Sequence, residues 1–197
     1  MALLFGACAT STVTPTFPTS DTLVRPDRVL VYDFAATPTE LEAKYGLDAQ
    51  TSGGTGPQAQ TQEEIRVGRA FAKALTDNLL QTLRSRGIDS YRAGESPPPG
   101  PNTASIKGRF MRPGRPDGPM VAGFGVADGL VHTNIEIYQG TGLNLQVVAQ
   151  AEIATTSNLS PKLNSAPDAT IEADARQTAT QVADRIVDYY KRRGWIN

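Results

Sequence analysis

Arg28-Val29-Leu30-Val31-Tyr32-Asp33-Phe34 is short, almost wholly apolar and rich in β-branched and aromatic residues. Apolar groups at both parities predict a central strand covered on both faces. Asp33 interrupts the run, and at a strand end an aspartate more often caps the following turn than forms a site. Thr61-Gln62-Glu63-Glu64 reads as a capping box opening the strongest helical pattern in the chain. Val67, Phe71, Leu75, Leu79 and Leu83 recur every fourth residue, with Ala74 and Leu80 widening the stripe. Arg84 and Arg86 suit the negative end of that helix, and Gly87 suits its C-cap. Ile88 to Tyr91 then reads as a strand. Strand, helix, strand makes a βαβ crossover, which predicts two parallel strands joined right-handedly.

Between the first strand and that helix lies a long connection, Ala35 to Gln60. Thr37-Pro38-Thr39-Glu40 is a second capping signal, predicting a short helix over Glu40 to Tyr45. Ser52-Gly53-Gly54-Thr55-Gly56-Pro57 lacks the Lys-Ser/Thr of a phosphate loop and reads as coil.

After the crossover the periodicity changes. A proline loop, Glu95 to Asn102, leads to a strand over Ser105 to Met111. Ile106, Gly108 and Phe110 lie on one face of it, Lys107 and Arg109 on the other. Arg112 to Pro119 reads as a loop. Leu130 to Tyr138 alternates, with Val131, Thr133, Ile135 and Ile137 on one face and His132, Asn134, Glu136 and Tyr138 on the other. Gly140-Thr141-Gly142 turns the chain into Leu143 to Ala154, where Leu145, Val147, Ala149, Ala151 and Ile153 share a face. That predicts a long antiparallel hairpin with one face packed and one wet. A final helix is expected over about Ala169 to Arg193, with Ile171, Ala175, Thr178, Val182 and Ile186 as its stripe. Gly194 ends it, and Trp195 is expected to fold back on the core.

The order β-α-β-β-β-β-α predicts an α/β two-layer sandwich. In it, a mixed sheet of about five strands carries two long helices on one face. The wet strand faces leave the other side of the sheet as a docking surface.

The chain has 197 residues and a formal charge of −1, enough for one domain with a core and no global pull toward nucleic acid. One cysteine excludes an internal disulfide and the multi-cysteine zinc patterns. No cofactor is expected. That cysteine has a telling context. Leu3-Leu4-Phe5-Gly6-Ala7-Cys8 is an apolar run, two small residues and the thiol, which is how a bacterial lipoprotein signal ends. The apolar run is too short for a whole signal and no basic segment precedes it, so the sequence is expected to start inside a longer one. Ala9 to Thr22 is rich in Thr, Ser and Pro with little charge, which suits a tether. The expected organisation is residues 1–8 as signal remnant, 9–24 as tether and 25–197 as one α/β domain.

Chemistry is sparse. His132 is the sole histidine, Glu136 shares its strand face, and Glu152 lies across the hairpin. A His–carboxylate acid/base pair is conceivable, but a solvated face with ordinary cross-strand pairing is the favoured reading. Gly123-Phe124-Gly125 opens the most distinctive loop, running to Gly129. It fails as a dinucleotide fingerprint because it precedes a strand. Its glycines suit tight turns or close approach with Phe124 as an apolar plug, and a ligand-cradling loop is the sharper alternative. Arg109, Arg112 and Arg115 make a local basic strip that reads first as a solvated strand end.

Pro26 to Phe34, the Gly123-Phe124-Gly125 loop before a hairpin, and a closing helix running to Gly194-Trp195 together resemble the bacterial domain of unknown function 4410 family. The resemblance covers roughly Asp27 to Trp195. It implies lipoproteins, with Cys8 as the lipid site, and implies no catalytic residues. The function expected is therefore a non-enzymatic lipoprotein of the cell envelope, anchored in the outer or inner membrane through Cys8 and facing the periplasm. Its domain would bind an envelope protein or cell-wall partner. The rivals are an envelope hydrolase using His132 with Glu136 or Glu152, and a small-ligand sensor using the Gly123 to Gly129 loop.

Overall fold

A computed structural model describes residues 23–45, 59–95, 102–115, 118–141, 144–159 and 166–196. Cys8 and the Ser52 to Pro57 stretch lie outside them. The elements run β1 (Arg28–Val31), α1 (Pro38–Tyr45), α2 (Gln62–Ser85), β2 (Ser90–Arg92), β3 (Thr103–Pro113), β4 (Met120–Ala122), β5 (Leu130–Thr141), β6 (Asn144–Thr156) and α3 (Asp168–Arg192). The strands form one mixed sheet ordered β2-β1-β3-β5-β6, with β4 pairing the far end of β3. β1 is parallel to both β2 and β3, and the β3–β5 and β5–β6 pairs are antiparallel. This is the predicted α/β fold with two long helices. The sheet has six strands where about five were expected, because Met120–Ala122, to which the sequence reading assigned no element, forms β4; β3 also runs on to Pro113, into the expected Arg112 to Pro119 loop. Three residues are too few to show a period of two.

The capping box of α2 forms as the sequence predicts. The Glu64 amide donates to the Thr61 hydroxyl at 3.1 Å, and the Thr61 amide donates to the Glu64 carboxylate at 2.6 Å. Gly87 follows the helix with φ +77°, a conformation open to glycine at no steric cost. Val67, Phe71, Leu75, Leu79 and Leu83 are inaccessible to solvent. They share one core with Ile171, Ala175, Val182 and Ile186 of α3 and with Val29, Val31, Ile106, Phe110, Val131, Ile135 and Ile153 of the sheet. Both long helices thus cover the same face, in two layers.

Four phenylalanines fix the centre. Phe71 stands edge-on to Phe110 at 5.4 Å, Phe110 edge-on to Phe124 at 5.1 Å, and Phe34 lies 6.1 Å from Phe110. Two glycines permit this. A Cβ on Gly108 would stand 2.1 Å from the Phe34 ring, and one on Gly68 would stand 2.5 Å from Phe124. Trp195 does fold back, edge-on to Tyr189 at 5.7 Å and to Tyr190 at 5.2 Å. At the other end of the described chain, Leu23 packs against the core and the Gln139 amide donates to the Val24 carbonyl at 2.6 Å.

The hairpin departs from its predicted pattern at one residue. Ile137 faces Ala149, but Tyr138 faces Val147, so Val148 is an extra residue. Such a bulge reverses the parity of the strand beyond it. Ala149, Ala151 and Ile153 keep the core face, whereas Leu145 and Val147 move to the opposite one. They are 42% and 38% exposed.

Candidate functional site: the outer face of the sheet

The face turned away from α2 and α3 gathers side chains from neighbouring strands. Register puts Lys107 beside Glu136, Arg109 beside Asn134, Met111 beside His132 and Ser105 beside Tyr138. Glu136 is the hub. The Tyr138 hydroxyl donates to it, and the Arg109 guanidinium lies 3.6 Å away. Lys107 sits over two aromatic rings, Tyr138 at 4.6 Å and Tyr32 at 5.5 Å. The quadrupole of each ring favours the ammonium there.

Burial governs the electrostatics of this cluster. Partial burial pushes the Lys107 ammonium below its ordinary pKa, and nearby Glu136 opposes that shift. Burial raises the Tyr138 hydroxyl, and its hydrogen bond to Glu136 raises it further. Both effects keep the phenol protonated, so it can donate to the carboxylate at any pH near neutral.

His132 and its two proposed carboxylates do not form one site. Glu136 shares the strand face but is engaged by Tyr138 and Arg109. Glu152 does approach, with its Oε1 3.6 Å from His132 Nδ1. That is too long for a hydrogen bond and makes an ion pair only when the imidazole is charged. The Glu152 side chain remains 57% exposed.

The Gly123-Phe124-Gly125 loop is spent inside the protein. The Phe124 ring is inaccessible, as an apolar plug should be. Its amide donates to the Ala36 carbonyl at 2.9 Å, and Gly123 donates to Phe110. The Gln60 side-chain amide then ties the Phe124 and Ala36 carbonyls together at 3.1 and 3.2 Å. A Cβ on Gly125 would lie 2.9 Å from Arg112, so the second glycine makes room for that arginine.

Arg112 is 8% exposed beneath this loop, on the core side of β3, while Arg109 is on the outer face. The predicted basic strip is therefore split, because neighbouring odd and even residues of a strand point opposite ways. Asp33 pairs with Arg92, which also reaches Asp77 and lies 3.7 Å from Glu95.

Sequence reading missed the Tyr32–Lys107–Tyr138 stack and the exposed Leu145 and Val147. The stack needs strand register, and the exposed pair needs the bulge. Among the described residues, no group of three or more His, Cys, Asp or Glu could hold a metal ion. Nor, among them, is any helix long and apolar enough to cross a membrane.

No known family model matches the chain, and no curated protein does. Solved structures that resemble it include a point variant of PelC from Paraburkholderia phytofirmans, a dodecamer. It is 15% identical, with a TM-score of 0.39 over 88% of this chain and 98% of that one. Another is protein XCC0632 from Xanthomonas campestris, labelled with the family model DUF330. It is also 15% identical, with a TM-score of 0.40 over 93% of this chain and 94% of that one. The neighbours thus include a bacterial domain of unknown function, and they do not single out family 4410. Likenesses this loose carry no argument about activity or assembly.

Proposed function

We propose that this chain is a non-enzymatic lipoprotein of the cell envelope, related to the domain of unknown function 4410 proteins. A lipid on Cys8 anchors it in the outer or inner membrane, facing the periplasm. Its α/β domain binds an envelope protein or cell-wall partner through the outer face of the sheet. The anchor rests on the Gly6-Ala7-Cys8 junction followed by a Thr/Ser/Pro-rich stretch. The observation that carries the binding role is the outer face itself. Its charges are matched among themselves, Arg109 with Glu136 and Lys107 with two rings, so the surface is ordered before any partner arrives. A preordered polar surface loses little entropy on binding.

The hydrolase reading keeps one support, the approach of His132 to Glu152. Glu136 gives it none, being held by Tyr138 and Arg109, and the His132–Glu152 approach is too long for a hydrogen bond.

Replacing Cys8 with Ser in the native host tests the anchor. The protein should move from the detergent-extracted membrane fraction to the soluble one, and the wild type should show a lipid adduct on Cys8 by mass spectrometry. Unchanged membrane association with no adduct would remove the anchor from this account.

A further inference from the structure

The two ends of the sheet are built differently. At one end β2 is three residues long, so it offers little backbone to pair with. At the other, β6 runs for 13 residues and, among the described residues, pairs with β5 alone. Monomeric proteins usually blunt such an edge with lysine, proline or brevity. Asn144–Thr156 contains neither lysine nor proline, and its one charge is Glu152. The bulge at Val148 lies toward the hairpin tip and leaves Ala149 to Thr156 in regular register.

One hydrogen bond shows which backbone groups this edge offers. The Ser157 amide donates to the Gly129 carbonyl at 2.8 Å, one step beyond the Leu130–Thr156 pair. Residues of an antiparallel ladder alternate in the side to which they turn N–H and C=O. Thr155, Ile153 and Ala151 therefore turn theirs to β5. Gln150, Glu152 and Ala154 turn theirs outward, where no backbone group among the described residues bonds them.

We infer that this edge pairs with the same edge of a second copy of the chain, antiparallel, with the two-fold axis at Ala151. The strand is complementary to itself in that register. Gln150 faces Glu152 of the second copy, and Glu152 faces its Gln150, so each carboxylate meets an amide. These are the residues whose backbone groups point outward, as hydrogen-bonded pairs require. Ala151 meets its own copy on the core side, where its methyl leaves room. Placing the axis at Glu152 instead would oppose two carboxylates, which destabilises a sheet. The contact is isologous and closes on itself, and a chain charge of −1 adds little repulsion. The inference needs neither the lipid nor any other partner.

Sedimentation of the full chain across a concentration series tests it, with three substitutions at one exposed position. The wild type should be a monomer–dimer equilibrium. Gln150→Glu places like charges across the axis twice and should weaken the dimer about three- to tenfold. Gln150→Lys places opposite charges there and should tighten it by about the same factor. Gln150→Pro should abolish dimerisation with little change in the melting curve, since it removes only an outward N–H. A wild type that stays monomeric at every concentration overturns the proposal. So does a dimer indifferent to all three substitutions, or one that Gln150→Lys weakens.

Discussion

On one face of the sheet Phe110, Ile106 and Val131 are almost wholly inaccessible, while on the other Glu152, Val147 and Leu145 stand well out in solvent. The same strands build both faces, and β5 supplies each with alternate residues. The covered face is fixed by shape: four phenylalanines interlock and two glycines have no room for a methyl group. The outer face is held by pairings of charge, hydroxyl and ring. These pairings are themselves largely buried, with Arg109 24% and Glu136 15% exposed, so they add to the fold as well. The first face is held by shape and the second by polar pairing, and the second presents the polar groups available to a partner.

Substitutions can break that contrast, and the largest effect belongs to the covered face. Phe71→Ala removes a ring packed against Phe110 and Phe124 and should cost about 3–5 kcal/mol, read from denaturant melts. Gly108→Ala should cost about 1–3 kcal/mol, because its methyl would strike the Phe34 ring. A neutral Gly108→Ala would mean that the aromatic centre is looser than its geometry.

Alkaline pH probes both faces together. Tyr190 of α3, in the core, and Tyr138 on the outer face both have raised pKa values, chiefly through burial. A raised tyrosine contributes stability that is full below the unfolded value of about 10 and lost as pH rises toward the folded one. Lys107 acts in the opposite sense, because its lowered pKa makes its contribution grow as pH rises toward about 10. Stability should therefore fall above about pH 10, and Tyr190→Phe and Tyr138→Phe should each flatten the fall, read from denaturant melts across the alkaline range. A fall unchanged by both substitutions would show that neither phenol carries it.

The smallest effect is expected at His132. His132→Ala should cost less than Phe71→Ala, because the imidazole keeps 22% of its side chain in solvent and makes no close contact with Glu152. A loss as large as that of Phe71→Ala would show that the outer face holds the fold as strongly as the covered one.

Much of this architecture was legible because long elements repeat their signal. The four-residue recurrence from Val67 to Leu83 and the capping box at Thr61 specify α2 almost to its ends. Strict alternation in β5 assigns every residue from Val131 to Tyr138 to its observed face. β6 was legible only beyond its bulge, from Ala149 on, since one extra residue at Val148 carries no mark in the sequence and reverses Val147 and Leu145. β4 was too short to announce itself. The candidate site was half visible. His132 and Glu136 were placed on the correct face, but their partners come from register, which sets Arg109 and Lys107 beside Glu136. Arg112 reads as surface charge and is buried, because only the folded loop shows the space that Gly125 leaves for it.

The central claim is that the outer face recognises a partner and performs no catalysis. Complementation tests it most directly: the gene is deleted in the native host and restored as wild type or as the His132→Ala, Glu152→Gln double variant, with abundance, membrane fraction and melting measured alongside. The account predicts that the double variant restores the wild-type phenotype in full. A variant that is folded, abundant and correctly localised yet fails to restore it would contradict the account and return His132 and Glu152 to the role of an acid/base pair.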